Sequence, residues 1–506
     1  MSGTDLLRPP QSHAGLMCCP SPDVVEKRPL DKQAESREIT TGRPDSASAG
    51  LFRAVTHRLG LSKAVAYSVL LRVWQLLTGP ITSFYFLVQF FSPAARDYYF
   101  AFSSMLGVQV FLELGLHVVI INVTSHEWSQ LKWEDGRLTG DVQALSRLSE
   151  LRRLTDRWYA AAAVLFLLAV SFAGYQFFDS SAGAGDLSDA GRAAVDWQGP
   201  WLILTVLTSV QLCLLSRTSI LEGCNHVESI TRVRFWQALA GTASVWLLMA
   251  LGLQLWALAA SAAVRLTGDL YLVYGSFGSF FRQLSKVNAT DSLSWKDEVL
   301  PLQWRIAVQS VFSWLALQMP ILYVFRELPA GDASRLGLTW SLLTAGQGAA
   351  MAWVETRRPV FGILIAARRY AALDRLFIRL TTISSLLMAA LGGALLLLIL
   401  LIGQQTGALF QKLSDSLLPL PSAGLLALGF VIVHPALCSG QYVRAHKRDP
   451  YLFAASFSSL CCAVLQVASG RQWGTAGVAL GYCLAVCLVQ TPLLLRIWWR
   501  CRREWH

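Results

Sequence analysis

Long apolar runs recur from residue 64 to residue 497 with no long polar interval between them. Each approaches the roughly 20 residues that a helix needs to cross a hydrocarbon layer about 30 Å thick. Backbone groups in lipid must be paired within their own segment, so each run reads as a helix. Twelve follow, near residues 66–90, 98–122, 158–178, 200–220, 234–252, 255–277, 303–325, 336–356, 377–402, 420–441, 451–469 and 474–497. The chain is 54% hydrophobic and 15% charged, against roughly 25% charged in an ordinary globular domain. A soluble fold could not hide that much apolar surface, so the expected fold class is an all-α integral membrane protein whose environment is the lipid bilayer.

The start of the chain is the exception. Residues 1–60 are rich in Pro, Ser and charge and carry no long apolar run, which reads as a disordered tail. No short apolar core with a cleavage site stands there, so the first helix itself directs insertion. Orientation follows from the basic residues, because short cytoplasmic loops collect Lys and Arg. With the N-terminus inside, 34 of the 43 Lys and Arg fall on the cytoplasmic side, 6 outside and 3 within helices. Both termini are then cytoplasmic, and the longest outer loop, 179–199, is acidic, with Asp179, Asp186, Asp189 and Asp196. The net charge of +11 records this topology. Dispersed over many loops, it makes no nucleic-acid footprint. The ten cysteines fall in helices or cytoplasmic stretches, which excludes a disulfide framework, and their spacing is not that of a structural zinc site. Neither a cofactor nor a metal is expected.

Val142, Leu145, Leu148, Leu151 and Leu154 form one helical stripe among charges, the pattern of a helix lying on the cytoplasmic membrane surface. A similar cationic stretch, Ala366 to Arg379, leads into the ninth helix. Both follow the second helix of a six-helix half, and other features repeat as well. Trp74 and Pro80 in the first helix match Trp314 and Pro320 in the seventh, Arg96 matches Arg335, and the loop Glu222 to Glu228 matches Val443 to Asp449. Six helices per half is an even number, so the halves point the same way about an axis along the membrane normal. The expected division is a tail at 1–60, bundles at 61–282 and 301–498 joined by a linker at 283–300, and a basic tail at 499–506, with a central cavity between the bundles.

The motifs are Trp-x5-Pro in the first helix of each half, Arg96-Asp97-Tyr98-Tyr99 at the start of helix two, Leu-Glu-Leu-Gly at 112–115, and Leu221 to His226 followed by Arg232, Arg234 and Gln237. In these the chain resembles the multidrug/oligosaccharidyl-lipid/polysaccharide (MOP) exporter superfamily, and within it the Wzx-type oligosaccharide flippases, over roughly residues 60–500. The resemblance implies two six-helix bundles in a V, alternating access, and movement of a polyprenyl-pyrophosphate-linked glycan across the cell membrane, with polysaccharide assembly proteins as partners. A proton- or sodium-coupled drug or metabolite exporter of the same fold is the alternative. A glycan polymerase or ligase fits less well. No nucleotide-binding loop, metal cluster or paired nucleophile and base is evident, so no catalytic residue is assigned and the chain is read as a non-enzyme.

Ionisable groups in mid-membrane are costly and default to function. Glu113 and His117, one turn apart on helix two, could share a proton for ion coupling, or pair structurally. Arg265 and Asp269, one turn apart on helix six, read either as a neutralised pair, with Asp269 a further coupling candidate, or with Arg265 holding a phosphate in its planar donors. Arg72 and Arg305 stand early in the first helix of each half. They either snorkel to the interface or make an electropositive entrance for a pyrophosphate. Glu355 reads as interfacial, and His434 as satisfying a carbonyl freed by Pro435. Tyr85, Trp314, Gln318, Tyr323 and Gln347 are candidate cavity-lining residues for sugars, set against the structural use of most membrane aromatics.

Overall fold

A computed structural model describes residues 63–113, 115–134, 136–182, 195–287, 300–446 and 450–505. The expected tail at 1–60 and most of the acidic loop and of the linker lie outside the described residues. The chain is an all-α membrane protein of two six-helix bundles, and its helices follow the apolar runs in order. Span 1 is Lys63–Ile81, a wider π turn Thr82–Phe86 and Leu87–Phe90. Span 2 is broken into Pro93–Leu106, Gln109–Glu113 and Leu116–Trp128, and spans 3 to 6 are Val142–Ala182, Gln198–Gly223, Val227–Ala250 and Trp256–Leu270, the last extended by a π turn. Spans 7 to 10 are Leu300–Glu327, Asp332–Glu355, Tyr370–Gly403 and Leu420–Ala445. Spans 11 and 12 share the helical stretch Leu452–Ala485 and continue to Trp505. This stretch leaves helical geometry at Trp473 and Gly474 and folds back there, since Ser469 donates to the carbonyl of Gly477 at 2.7 Å. Among the described residues, six helices are long and apolar enough to cross a membrane, or seven with the bent second span. The shorter or more polar ones cross as members of the bundles.

Two local features depart from the sequence expectation. The stripe at 142–154 is not a separate surface helix, because it runs without a break into span 3 as one helix of 41 residues. At 1.5 Å per residue this is about 60 Å, twice the hydrocarbon thickness, so the amphipathic part is the extension of a spanning helix beyond the bilayer. Ahead of it, Leu131–Glu134 (β1) and Arg137–Gly140 (β2) form an antiparallel hairpin. The Gln283 side chain clamps the hairpin, accepting from the Leu138 amide at 3.1 Å and donating to the Gly136 carbonyl at 2.6 Å.

Alternation of the spans collects Lys63, the hairpin and the turns after spans 4, 8 and 10 at one end, called here the basic end, and the other turns at the far end. The packing order repeats between halves. Span 1 lies on span 5 as span 7 lies on span 11, and span 3 lies on span 4 as span 9 lies on span 10. Each half also has a part-buried carboxylate near its basic end. Asp156 on span 3 accepts from Arg152, from Ser216 and Arg217 of span 4, and Arg217 in turn donates to Tyr274 of span 6. Asp374 on span 9 accepts from Tyr442 of span 10 and Arg502 of span 12, both at 2.7 Å. In each half a carboxylate on the third helix is thus linked to the fourth and sixth, through Arg217 in the first half and directly in the second.

Candidate functional site

The two halves are joined tightly at the far end. Span 2 begins after Ser92, whose hydroxyl caps the Ala95 amide, and its first turn carries Arg96 and Asp97 into the other half. The fully buried Asp97 carboxylate accepts from the amides of Gly331 and Ser334 at 2.6 Å each, and so caps the N-terminus of span 8. An anion is favoured there by the free amides and the helix dipole. Arg96 donates to Ser416. Gly337 of span 8 gives up the space that a Cβ would need to the ring of Phe100. Phe325 of span 7 enters an aromatic cluster with Tyr98, Phe177 and Phe178. At the basic end the halves meet through a looser contact, Arg72 against Glu355 at 3.4 Å, with side chains 58% and 33% exposed.

Within the first half lies a cavity of about 540 Å³ bounded by spans 1, 2, 4, 5 and 6. Its polar lining includes Gln75, Tyr99, Gln109, Gln211, Arg234, Gln237, Arg265 and Asp269. Arg265 and Asp269 thus share one chamber, but they are not an ion pair. Asp269 instead accepts from the Gln237 amide at 3.0 Å, and the same amide donates to the Arg265 carbonyl at 2.7 Å. Among the described residues no acceptor lies within hydrogen-bonding reach of the Arg265 guanidinium. Arg234 faces the same space, with Glu222 at 3.5 Å. An anion with several oxygens is what a chamber with one unpaired and one loosely held guanidinium can receive.

The second half holds a cavity of about 550 Å³. Ser103 and Ser104 of span 2, Ser313 and Gln318 of span 7, Trp340, Ser341, Thr344 and Gln347 of span 8, and Phe430, Ser459, Tyr482 and Gln490 contribute to it. The buried Nε2 of Gln347 has no partner. Tyr99 lines both cavities. A third recess, apolar and about 310 Å³, lies between span 1 and spans 8 and 9, where Pro80 and Phe84 face Gly346, Ala349, Leu391 and Gly392.

The remaining candidates lie elsewhere. The Glu113 and His117 side chains touch, but the helix between them is interrupted. Gly115 adopts φ 67°, a left-handed conformation that side chains resist, and span 2 bends by 47° there. The pair therefore straddles a break instead of lying on one helical face, and it lines neither cavity. Trp158 of span 3 donates to the Leu112 carbonyl freed at the break. Arg72 is engaged with Glu355, which makes Glu355 a contact between halves. The Arg305 side chain lies outside the described residues. Trp314 is buried edge-on against Phe111, Tyr323 is buried against Gly470, and Tyr85 is half exposed beside Phe86 and Phe90. His434 is fully buried, with Nε2 2.7 Å from the Ser384 hydroxyl, which itself donates to the Ala350 carbonyl. Gln318 and Gln347 do line the second cavity. Sequence reasoning missed the amides Gln109, Gln211 and Gln490 and the interlocking role of Asp97. Gln237 and Arg234 were visible only as parts of a motif.

Among solved structures, the chain is similar to an inward-facing multidrug resistance MATE family transporter of the MOP superfamily, at 12% identity and TM-score 0.63, over 88% of this chain and 98% of that one. It is similar to the lipid II flippase MurJ in an inward closed conformation, at 16% identity and TM-score 0.57, over 86% and 87%. An outward-facing MATE transporter of the MOP superfamily aligns at 12% identity and TM-score 0.52, over 87% and 96%. No family model and no curated protein matches the sequence. The chain has the all-α fold of MOP-superfamily transporters.

Proposed function

We propose that this chain is an alternating-access flippase that carries a polyprenyl-pyrophosphate-linked oligosaccharide across the cell membrane, with both termini cytoplasmic and the two six-helix halves, 61–282 and 301–498, as its moving bodies. The observation that carries the reading is the unpaired Arg265 guanidinium, which faces a membrane-embedded chamber beside Arg234. A cation within a membrane-spanning helix that has no carboxylate partner is costly, and a pyrophosphate head group entering the chamber supplies the missing charge. The apolar recess between spans 1, 8 and 9 suits the lipid tail of such a substrate. An exporter of cationic drugs is less well served, because among the described residues Asp269 is the one carboxylate lining the chamber and one of its oxygens accepts from Gln237. Glu113 and His117 remain the proposed ion-coupling pair.

The test is leaflet exchange of a fluorescent polyprenyl-pyrophosphate oligosaccharide in proteoliposomes. Arg265→Ala is expected to slow exchange by about 10- to 100-fold, the worth of one or two charge-assisted hydrogen bonds, with Arg265→Lys between it and wild type. Exchange that is absent in wild type, together with efflux of cationic dyes driven by a pH gradient, would move the chain to the drug exporters.

A further inference from the structure

The two large cavities differ in chemistry although they meet at one residue. Among the described residues, every charged group that lines either of them, Arg234, Arg265 and Asp269, belongs to the first-half cavity. Among the described residues, the second-half cavity is lined by hydroxyls, amides, aromatic rings and aliphatic groups and by no charged side chain. Tyr99 borders both, with its ring set edge-on against Phe91 and Phe100, so it forms the partition between them. The Gln347 Nε2 is buried and unsatisfied in the second cavity. A buried amide donor without a partner is uncommon in a settled interior, and it belongs to a side chain that lines the cavity. Trp340 stands among Phe430 and Tyr482 and offers ring surface beside the amides and hydroxyls, the combination of apolar faces and a few polar groups that orients a ligand in a pocket.

We propose, resting on the flippase reading, that the substrate is divided at Tyr99. The pyrophosphate occupies the first-half cavity, the sugars occupy the second, and the second cavity selects an uncharged glycan. A neutral sugar exchanges its water for the Ser341, Thr344, Gln318, Gln347 and Gln490 side chains with little loss. A uronic acid brings a carboxylate into a chamber that holds no cation among the described residues, and burying a charge without a partner is strongly unfavourable. Discrimination of this kind comes from the rejected ligand being left unpaired.

The experiment compares two polyprenyl-pyrophosphate disaccharides that differ only in the terminal sugar, a hexose in one and the corresponding uronic acid in the other, in proteoliposomes of the full chain. The neutral lipid is expected to exchange at least about tenfold faster, and Thr344→Lys is expected to narrow or reverse that ratio by supplying the absent cation. Equal rates, or faster exchange of the uronate, with wild-type protein overturn the neutral-glycan inference while leaving the flippase reading intact. No exchange of either lipid overturns both. Because the wild-type comparison needs no variant, the inference stays testable if Thr344→Lys fails to fold.

Discussion

The imidazole of His226, in the turn between spans 4 and 5, shows how one residue records its surroundings. It is held among Trp128, Phe277 and Phe280, its Nε2 has no partner, and burial pushes its pKa below the ordinary value. Protonation therefore opposes the folded state. The unfolded chain takes up this proton near pH 6.5 and the folded chain only at lower pH, so stability is lost as pH falls below about 6.5. His226→Phe keeps the ring packing and removes the proton, so its melting temperature in detergent is expected to drop less between pH 8 and pH 5 than that of wild type. Equal drops would show that His226 does not set this dependence. The sequence made the embedded charges Arg265 and Asp269 legible because a charge in an apolar run stands out at once. It did not reveal that Gln237 stands between them. An amide costs little in a helix of this composition, and its partner depends on which face of span 5 meets span 6, which only packing decides.

At the scale of elements, the tie between spans 2 and 8 carries the most consequence. Asp97 is acidic at the start of one span and caps the start of another, so separating the halves at the far end exposes two amides and leaves a carboxylate to be rehydrated. Asp97→Ala is expected to weaken far-end closure by about 2 kcal/mol, roughly a 30-fold change in the ratio of closed to open forms. Spin labels at the exposed positions Gln89 and Glu327 would report it as a longer-distance population. A distance distribution unchanged from wild type would mean that the aromatic cluster around Phe325 holds this end without the cap. The spans themselves were legible, because a length of about 20 apolar residues is imposed by the bilayer, and even the reversal at residues 470–474 interrupts the pattern visibly. The fusion of the 142–154 stripe with span 3 was not legible. Amphipathic periodicity is the same whether a helix lies on a membrane or projects from one, and no breaker between residues 154 and 158 distinguishes the two.

For the whole molecule, the difference between its two ends bears on which state rests lowest. The far end is sealed by a buried cap, by the close approach of Gly337 to Phe100 and by interlocked rings, while the ends of spans 1 and 8 at the basic end are joined by the part-exposed Arg72 and Glu355. Exposed ion pairs contribute at most about 1 kcal/mol, so the basic end is the easier one to open. If Arg72 acts through Glu355 as a tether, removing either side chain should have the same effect, and removing both should add nothing. If Arg72 instead receives the substrate, Arg72→Ala should slow exchange while Glu355→Gln, which frees the guanidinium, should leave it equal or faster. The engaged geometry favours the tether, so the expected result is that Arg72→Ala, Glu355→Gln and the double variant change glycolipid exchange to the same small extent. A large loss confined to Arg72→Ala would return this residue to the pathway of the head group.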